Sequence, residues 1–236
     1  MEIFKNNPNK KFLKFAAILV VATALLSIVF SILYAVADLN LDEGTTVWSL
    51  AYYFKRFFDI FAIFAGYGII IFAFSRYDAE TGKLSIAVFS LSIILSFLYQ
   101  LIGTFIYEGS FNVDFLVYSL YYSCGYVIIT QLLPAIFAAY VTHRLTKKGT
   151  RGMDKLLNFK NPIQKAMLII TLVVFALNLL FTLLFTILPD LIAYEFIIPA
   201  SFFWDIVLTI VDIIVVYLII QYLIYFVIYK VCEKNS

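Results

Sequence analysis

Residues 15–37 read FAAILVVATALLSIVFSILYAVA, 23 positions without a charge. A bilayer's hydrocarbon core is about 30 Å thick and takes about 20 apolar helical residues to cross. On that ruler the chain divides into predicted spans over about 15–37, 52–74, 84–106, 115–140, 166–188 and 202–229. These runs are continuous in apolar character, not alternating, so they read as helices and not as barrel strands. The expected fold class is therefore an all-α integral membrane protein, a six-helix bundle forming one membrane domain over 1–236. Composition agrees. Hydrophobic residues make up 64% of the chain and charged residues 14%, against about 45–50% and about 25% in soluble domains, so a water-facing surface could not be assembled from it.

The charges between the spans predict an orientation. The N-terminal tail, 75–83, 141–165 and the C-terminal tail hold 15 of the 17 Lys and Arg residues. The other segments hold only Lys55 and Arg56, with 10 of the 15 acids. Positive residues stay on the cytoplasmic side, so both termini are expected in the cytoplasm of a multi-pass cell-membrane protein. An odd number of spans would separate the two basic termini. The basic opening followed by a long apolar run reads as a retained helix that doubles as the insertion signal, since the run exceeds a signal-peptide core.

Several chemistries lose support. His143 is the single histidine and has no Cys or His at ligand spacing, so no metal site is expected. There is no Gly-rich phosphate loop and no G-x-S-x-G elbow. Cys124 and Cys232 are too few for a disulfide framework. The expectation is a non-enzyme with no cofactor and no nucleic-acid partner. Glycine and proline are sparse within the spans, at Gly66, Gly68, Gly103, Gly125 and Pro134, which weighs against a transporter built on matched broken helices.

Polar residues in a span call for a packing or a functional reason. In the third span Ser85, Ser92, Ser96 and Gly103 fall near one line, with Gln100 beside it. The fifth span aligns Thr171, Asn178 and Thr182, and Asn178 is expected to hydrogen-bond across helices. The fourth span is rich in Tyr118, Tyr121, Tyr122, Ser123, Tyr126, Thr130 and Gln131. Its Pro134 cannot donate to the Thr130 carbonyl, which predicts a kink there, with Gln131 or a neighbouring hydroxyl meeting the freed group. Gln100, Tyr122, Tyr126, Gln131 and Asn178 are the candidate cavity-lining residues.

The stretch YYFKRFFDIF, 52–61, places Lys55, Arg56 and Asp59 in one turn at the head of an apolar run. Asp59 to Phe74 is only about 22 Å of helix, so Asp59 is expected a few Å inside the outer boundary. Counting Ile213 to Tyr229 on the sixth span puts Asp212 at a similar depth, with Asp205 above it on the same face. A lone charge in hydrocarbon costs at least about 2.5–3.5 kcal/mol on the insertion scale, so pairing is expected. Lys55 and Arg56 reach Asp59 within their helix, and Arg56 or Lys55 is expected to bridge to Asp212. Lys55, Arg56, Asp59, Asp205 and Asp212 are thus the candidate ligand-binding or ion-pair cluster.

Three functions fit these features. The first is a small carrier, or a substrate-capturing subunit of a transport system, with an outward-facing charged site. In layout it is analogous to membrane-embedded vitamin-binding subunits, but the Ala-x-x-x-Ala pattern sought in the first span is replaced at best by Ser27 and Ser31. The second is a non-catalytic structural or scaffold subunit of a membrane complex; the third, a lipid-modifying enzyme. Expected partners are the lipid bilayer and a second membrane or cytosolic subunit docking on 141–165. That segment is too short for a domain with its own core. It reads as a solvated basic loop near anionic headgroups, with MDKLLNFK forming a short amphipathic turn.

Overall fold

A computed structural model of the chain describes residues 9–41, 45–108, 125, 127–146, 152–153, 155–193 and 200–235. All regular structure among them is helical. Helix α1 is Lys10–Asn40, α2 is Thr46–Arg76 and α3 is Ala79–Glu108. Helix α4 enters through a π turn, Ile128–Leu132, and continues as Leu133–Leu145. Helix α5 runs over Pro162–Thr182, a π turn at Leu183–Ile187, and Leu188–Ala193. Helix α6 joins Ala200–Ile214, a π turn at Val215–Ile220, and Gln221–Asn235. Five of these stretches are long and apolar enough to cross a membrane. Helix α3 has 30 residues and no charge over 84–106. The Tyr-rich part of the fourth span, including Cys124, lies outside the described residues, apart from Gly125.

The helices outrun the predicted spans because their polar ends also carry helix signals. Thr45 caps α2 by accepting from Trp48 N at 3.3 Å. Asn161 caps α5 by accepting from Ile163 N at 2.9 Å, with Pro162 in the first turn, where its missing N–H costs nothing. Asp78 accepts from Thr81 N at 2.7 Å at the start of α3.

Proline explains two of the three π turns. Pro134 removes the donor for Thr130 O, and Pro189 the donor for the carbonyl of Phe185; each orphaned residue lies inside a π turn. In α4, where a kink was expected, the disruption takes this form. Among the described residues, the group seen to answer it comes from another helix. It is Tyr67 of α2, whose hydroxyl lies 3.0 Å from both Thr130 O and Gln131 O and shares its one hydrogen between them.

Helix α2 is the centre of the packing, touching α1, α3, α4, α5 and α6. Every residue over 64–73 is buried. Gly66 and Gly68 make this possible. A Cβ on Gly66 would overlap the Phe89 ring of α3, and one on Gly68 would stand 2.8 Å from Ile228 of α6, so both neighbours lie almost on the α2 backbone. The outside of the bundle is apolar. Ile18, Leu25, Val29, Ile32, Val36 and Leu39 of α1 are all exposed, a continuous greasy face of the kind that water does not tolerate.

The four basic segments meet at one end of the bundle, called here the basic end. Asn9 Nδ2 donates to Thr81 Oγ1 at 3.1 Å, tying the chain's start to the α2–α3 turn. Arg76 pairs with Glu233, and Gly152 lies so close that a Cβ on it would be 2.9 Å from Arg76 Nη2. The expectation of a solvated 141–165 loop holds only in part. Met153 and Gln164 are fully buried. Gln164 donates to Leu156 O at 3.2 Å and to Lys155 O, and accepts from Asn158 N. Tyr222 of α6 donates to Leu156 O at 3.1 Å. Backbone groups taken out of water require such partners, and the loop is held down through them. Leu157 and Phe159 face outward between Lys155 and Lys160, in bends and a turn with no helix.

Candidate charged site and polar cavity

At the end of the bundle opposite the basic end, α2 presents Lys55, Arg56 and Asp59 to two different neighbours. Positions 55 and 59 are one turn apart, and Lys55 Nζ meets Asp59 Oδ2 at 3.3 Å. Arg56 is rotated by one residue and pairs with Asp212 of α6. The predicted bridge between α2 and α6 is therefore made, and Arg56 makes it. Ser27 of α1 donates to Asp59 Oδ1, so the carboxylate is held on both oxygens. Lys55 also lies over the Tyr34 ring, 5.8 Å from its centroid. All four side chains of the two ion pairs are a little over one-third exposed, so the cluster sits at a mouth and not in the core. Asp205 is exposed and makes no ion pair among the described residues.

Aromatic rings of α1 and α2 flank one side of this mouth. Trp48 stacks parallel on Tyr52 at 5.7 Å, and Tyr34 meets both at 5.8 Å. Asp38 accepts from Trp48 Nε1 at 2.9 Å and from the Tyr34 hydroxyl at 3.3 Å. Rings with one wet edge favour the headgroup level of a bilayer.

Directly beneath Asp59 is a cavity of about 50 Å³ lined by Asp59, Ile60, Ile63, Phe64, Thr130, Asn178 and Tyr217. It has room for a few water molecules or one small ion. Its polar residues come from α2, α4, α5 and α6. Two of them, Thr130 and Tyr217, are carried in π turns, which bring side chains to positions a regular helix would not reach.

The cavity-lining expectation is met by Asn178 alone among the described side chains. Its Nδ2 donates to Val174 O at 2.9 Å in its own helix, which corrects the expected cross-helix bond. A local carbonyl one turn back satisfies the amide without a neighbour, leaving its oxygen for another use. Gln131 is buried but does not line the cavity. The side chains of Gln100, Tyr122 and Tyr126 lie outside the described residues. Thr171, aligned with Asn178 on the fifth span, has a buried hydroxyl with no partner among the described residues.

Sequence reasoning passed over Ser27 as a ligand of Asp59, and Tyr217 altogether. Ser27 carried only a spacing signal. Tyr217 lies five residues after Asp212, about 140° around a regular helix, and only the π turn lets both face α2. Comparison of the chain with protein families, curated proteins and solved structures returns no match.

Proposed function

We propose that the chain is a six-span protein of the cell membrane with both termini cytoplasmic, and that it works as a small carrier or substrate-capturing subunit. Its site is the cavity under the Lys55–Asp59 and Arg56–Asp212 pairs. The observation that carries this reading is the joining of a carboxylate, an amide and two hydroxyl-bearing residues from four helices around one small space. Oxygen-bearing side chains around about 50 Å³ suit a small cation stripped of part of its hydration. Lys55 holds Asp59 in its absence, and an arriving cation competes for the same carboxylate. A bilayer-thick distance between the two ion pairs of α2 and α6 supports the membrane placement. Arg56 to Arg76 and Asp212 to Glu233 each span about 30 Å of helix.

The test is thermal unfolding of purified protein in detergent with sodium, potassium or ammonium, against N-methylglucamine at equal ionic strength. At a hundredfold excess over Kd, a bound cation adds about 2.7 kcal/mol, and Asp59→Asn should remove the shift. Equal melting in all four salts would refute the cation site.

A second reading has its own support. Every charge of Lys55, Arg56, Asp59 and Asp212 is paired within the chain, as a structural or scaffold subunit would require to fix α2 on α6. On that reading Asp59→Asn changes stability in every salt alike.

A further inference from the structure

Helix α6 carries a second polar pattern beyond the charged mouth. After Asp212 and Tyr217 come Gln221, Tyr225, Tyr229 and Glu233, each four residues from the last. Four residues advance about 6 Å and turn about 40° past a full circle, so these side chains form one slowly turning file. The file faces α2. Asp212 pairs with Arg56, the Tyr217 ring meets Phe64 at 5.6 Å, and Tyr225 meets Tyr67 at 6.3 Å. Tyr229 meets Phe72 at 5.0 Å, and Glu233 pairs with Arg76. Gln221, Tyr225 and Tyr229 are fully buried, so the file runs through the interior from the cavity to the basic end.

We propose that this buried face between α2 and α6 is a proton pathway, entered at Asp59 and its cavity and left at Glu233. One orphaned atom and one polar junction point to it. Gln221 donates through Nε2 to the Tyr225 hydroxyl, but its Oε1 meets no donor among the described residues. The buried Tyr229 hydroxyl lies beside Ser75 and Arg76, and Arg76 carries the polar file on to Glu233. In native proteins water meets a buried polar atom that the protein leaves without a donor, as Gln221 Oε1 is here. Gln221 and Tyr229 flank Tyr225 on either side, and the proposed pathway places bridging water there.

The chemistry is proton relay alone. A proton taken from water by the Asp59 carboxylate passes to water in the cavity. Each hydroxyl or water along the file then accepts one proton on oxygen and releases its own to the next. Gln221 anchors water and carries no proton. One proton moves through, no bond to carbon changes and no electron is transferred. Lys55, Arg56 and Asp212 surround the entry. At the exit Glu233 lies between Arg76 and Lys230, with His143 packed on Phe74 at 6.2 Å as the imidazole of that end. Two cations at the exit oppose a cation's passage, so the expected rate is that of a slow carrier and not of an open channel.

The experiment reconstitutes the full chain in vesicles with an entrapped pH dye and imposes a potassium diffusion potential with valinomycin. Proton uptake should run several-fold faster than in protein-free vesicles. Tyr229→Phe and Gln221→Leu should each lower it towards the protein-free level, while Tyr53→Phe, on the exposed flank of α2, should leave it intact. Tyr229→Phe keeps the packed ring and removes only the hydroxyl, so it tests the pathway in a folded protein, as its melting temperature will show. Uptake equal to that of protein-free vesicles, or unchanged in both file variants, overturns the proposal. The pathway stands apart from cation binding. Proton uptake without any cation-induced stabilisation would sink only the site reading, and the converse only the pathway.

Discussion

The two halves of helix α2 are built on opposite terms. Over 64–73 every side chain is buried, two glycines bring α3 and α6 onto the backbone, and the one polar tip, the Tyr67 hydroxyl, spans to two carbonyls of α4. Over 46–63 nothing is fully buried. Tyr53, Phe54 and Phe57 face outward, and the charges of Lys55, Arg56 and Asp59 are answered by single contacts to α1, α6 and their own helix. The first half is held by packing, which fails abruptly when a methyl group is added. The second is held by half-exposed ion pairs, which solvent and lipid headgroups partly replace. The two halves thus differ in what holds them: interior packing in one, half-exposed charges in the other.

That contrast can be broken by substitution. Gly66→Leu should do the most damage, because the Phe89 ring occupies the space of the new side chain. Overpacking of this kind costs about 3 kcal/mol at its upper end, read as a fall in the unfolding midpoint in mixed micelles. Tyr67→Phe keeps the ring but leaves the Thr130 and Gln131 carbonyls without their α2 donor. A loss of about 1–2 kcal/mol is expected, with faster amide exchange confined to α4. The smallest effect belongs to the mouth. Arg56→Asp sets like charges against Asp212 and should cost about 1 kcal/mol, after allowing for the exposure of the pair. Adding Asp212→Arg should recover most of it in a double-mutant cycle. If the mouth variant proved as damaging as Gly66→Leu, the two halves would not differ as described.

Much of the charged site was legible beforehand. Three charges in one turn of an apolar run, matched in depth by Asp212, required a partner, and Arg56 has it. The cavity was legible only through Asn178, since a cavity needs residues from several helices at one level, and their relative heights depend on packing. Tyr67 is the clearest case. As one tyrosine in an apolar run it carries no sign that the proline of another helix creates its task. The four-residue spacing of Gln221, Tyr225, Tyr229 and Glu233 was in plain view. Tyrosines near span ends also suit interface belts, so the spacing alone did not mark them as buried.

What the chain determines by itself is the class of solution: long uncharged runs must become helices whose backbone satisfies itself, and isolated charges among them must pair. Which faces meet is decided only in three dimensions. Two glycines let helices close on α2, and Pro134 and Pro189 each fall just beyond a π turn. The π turn of α6 takes up the extra residue between Asp212 and Tyr217. Periodicity read from a sequence assumes a constant turn. Among the described residues the turn widens at three places, and two of those places wall the cavity.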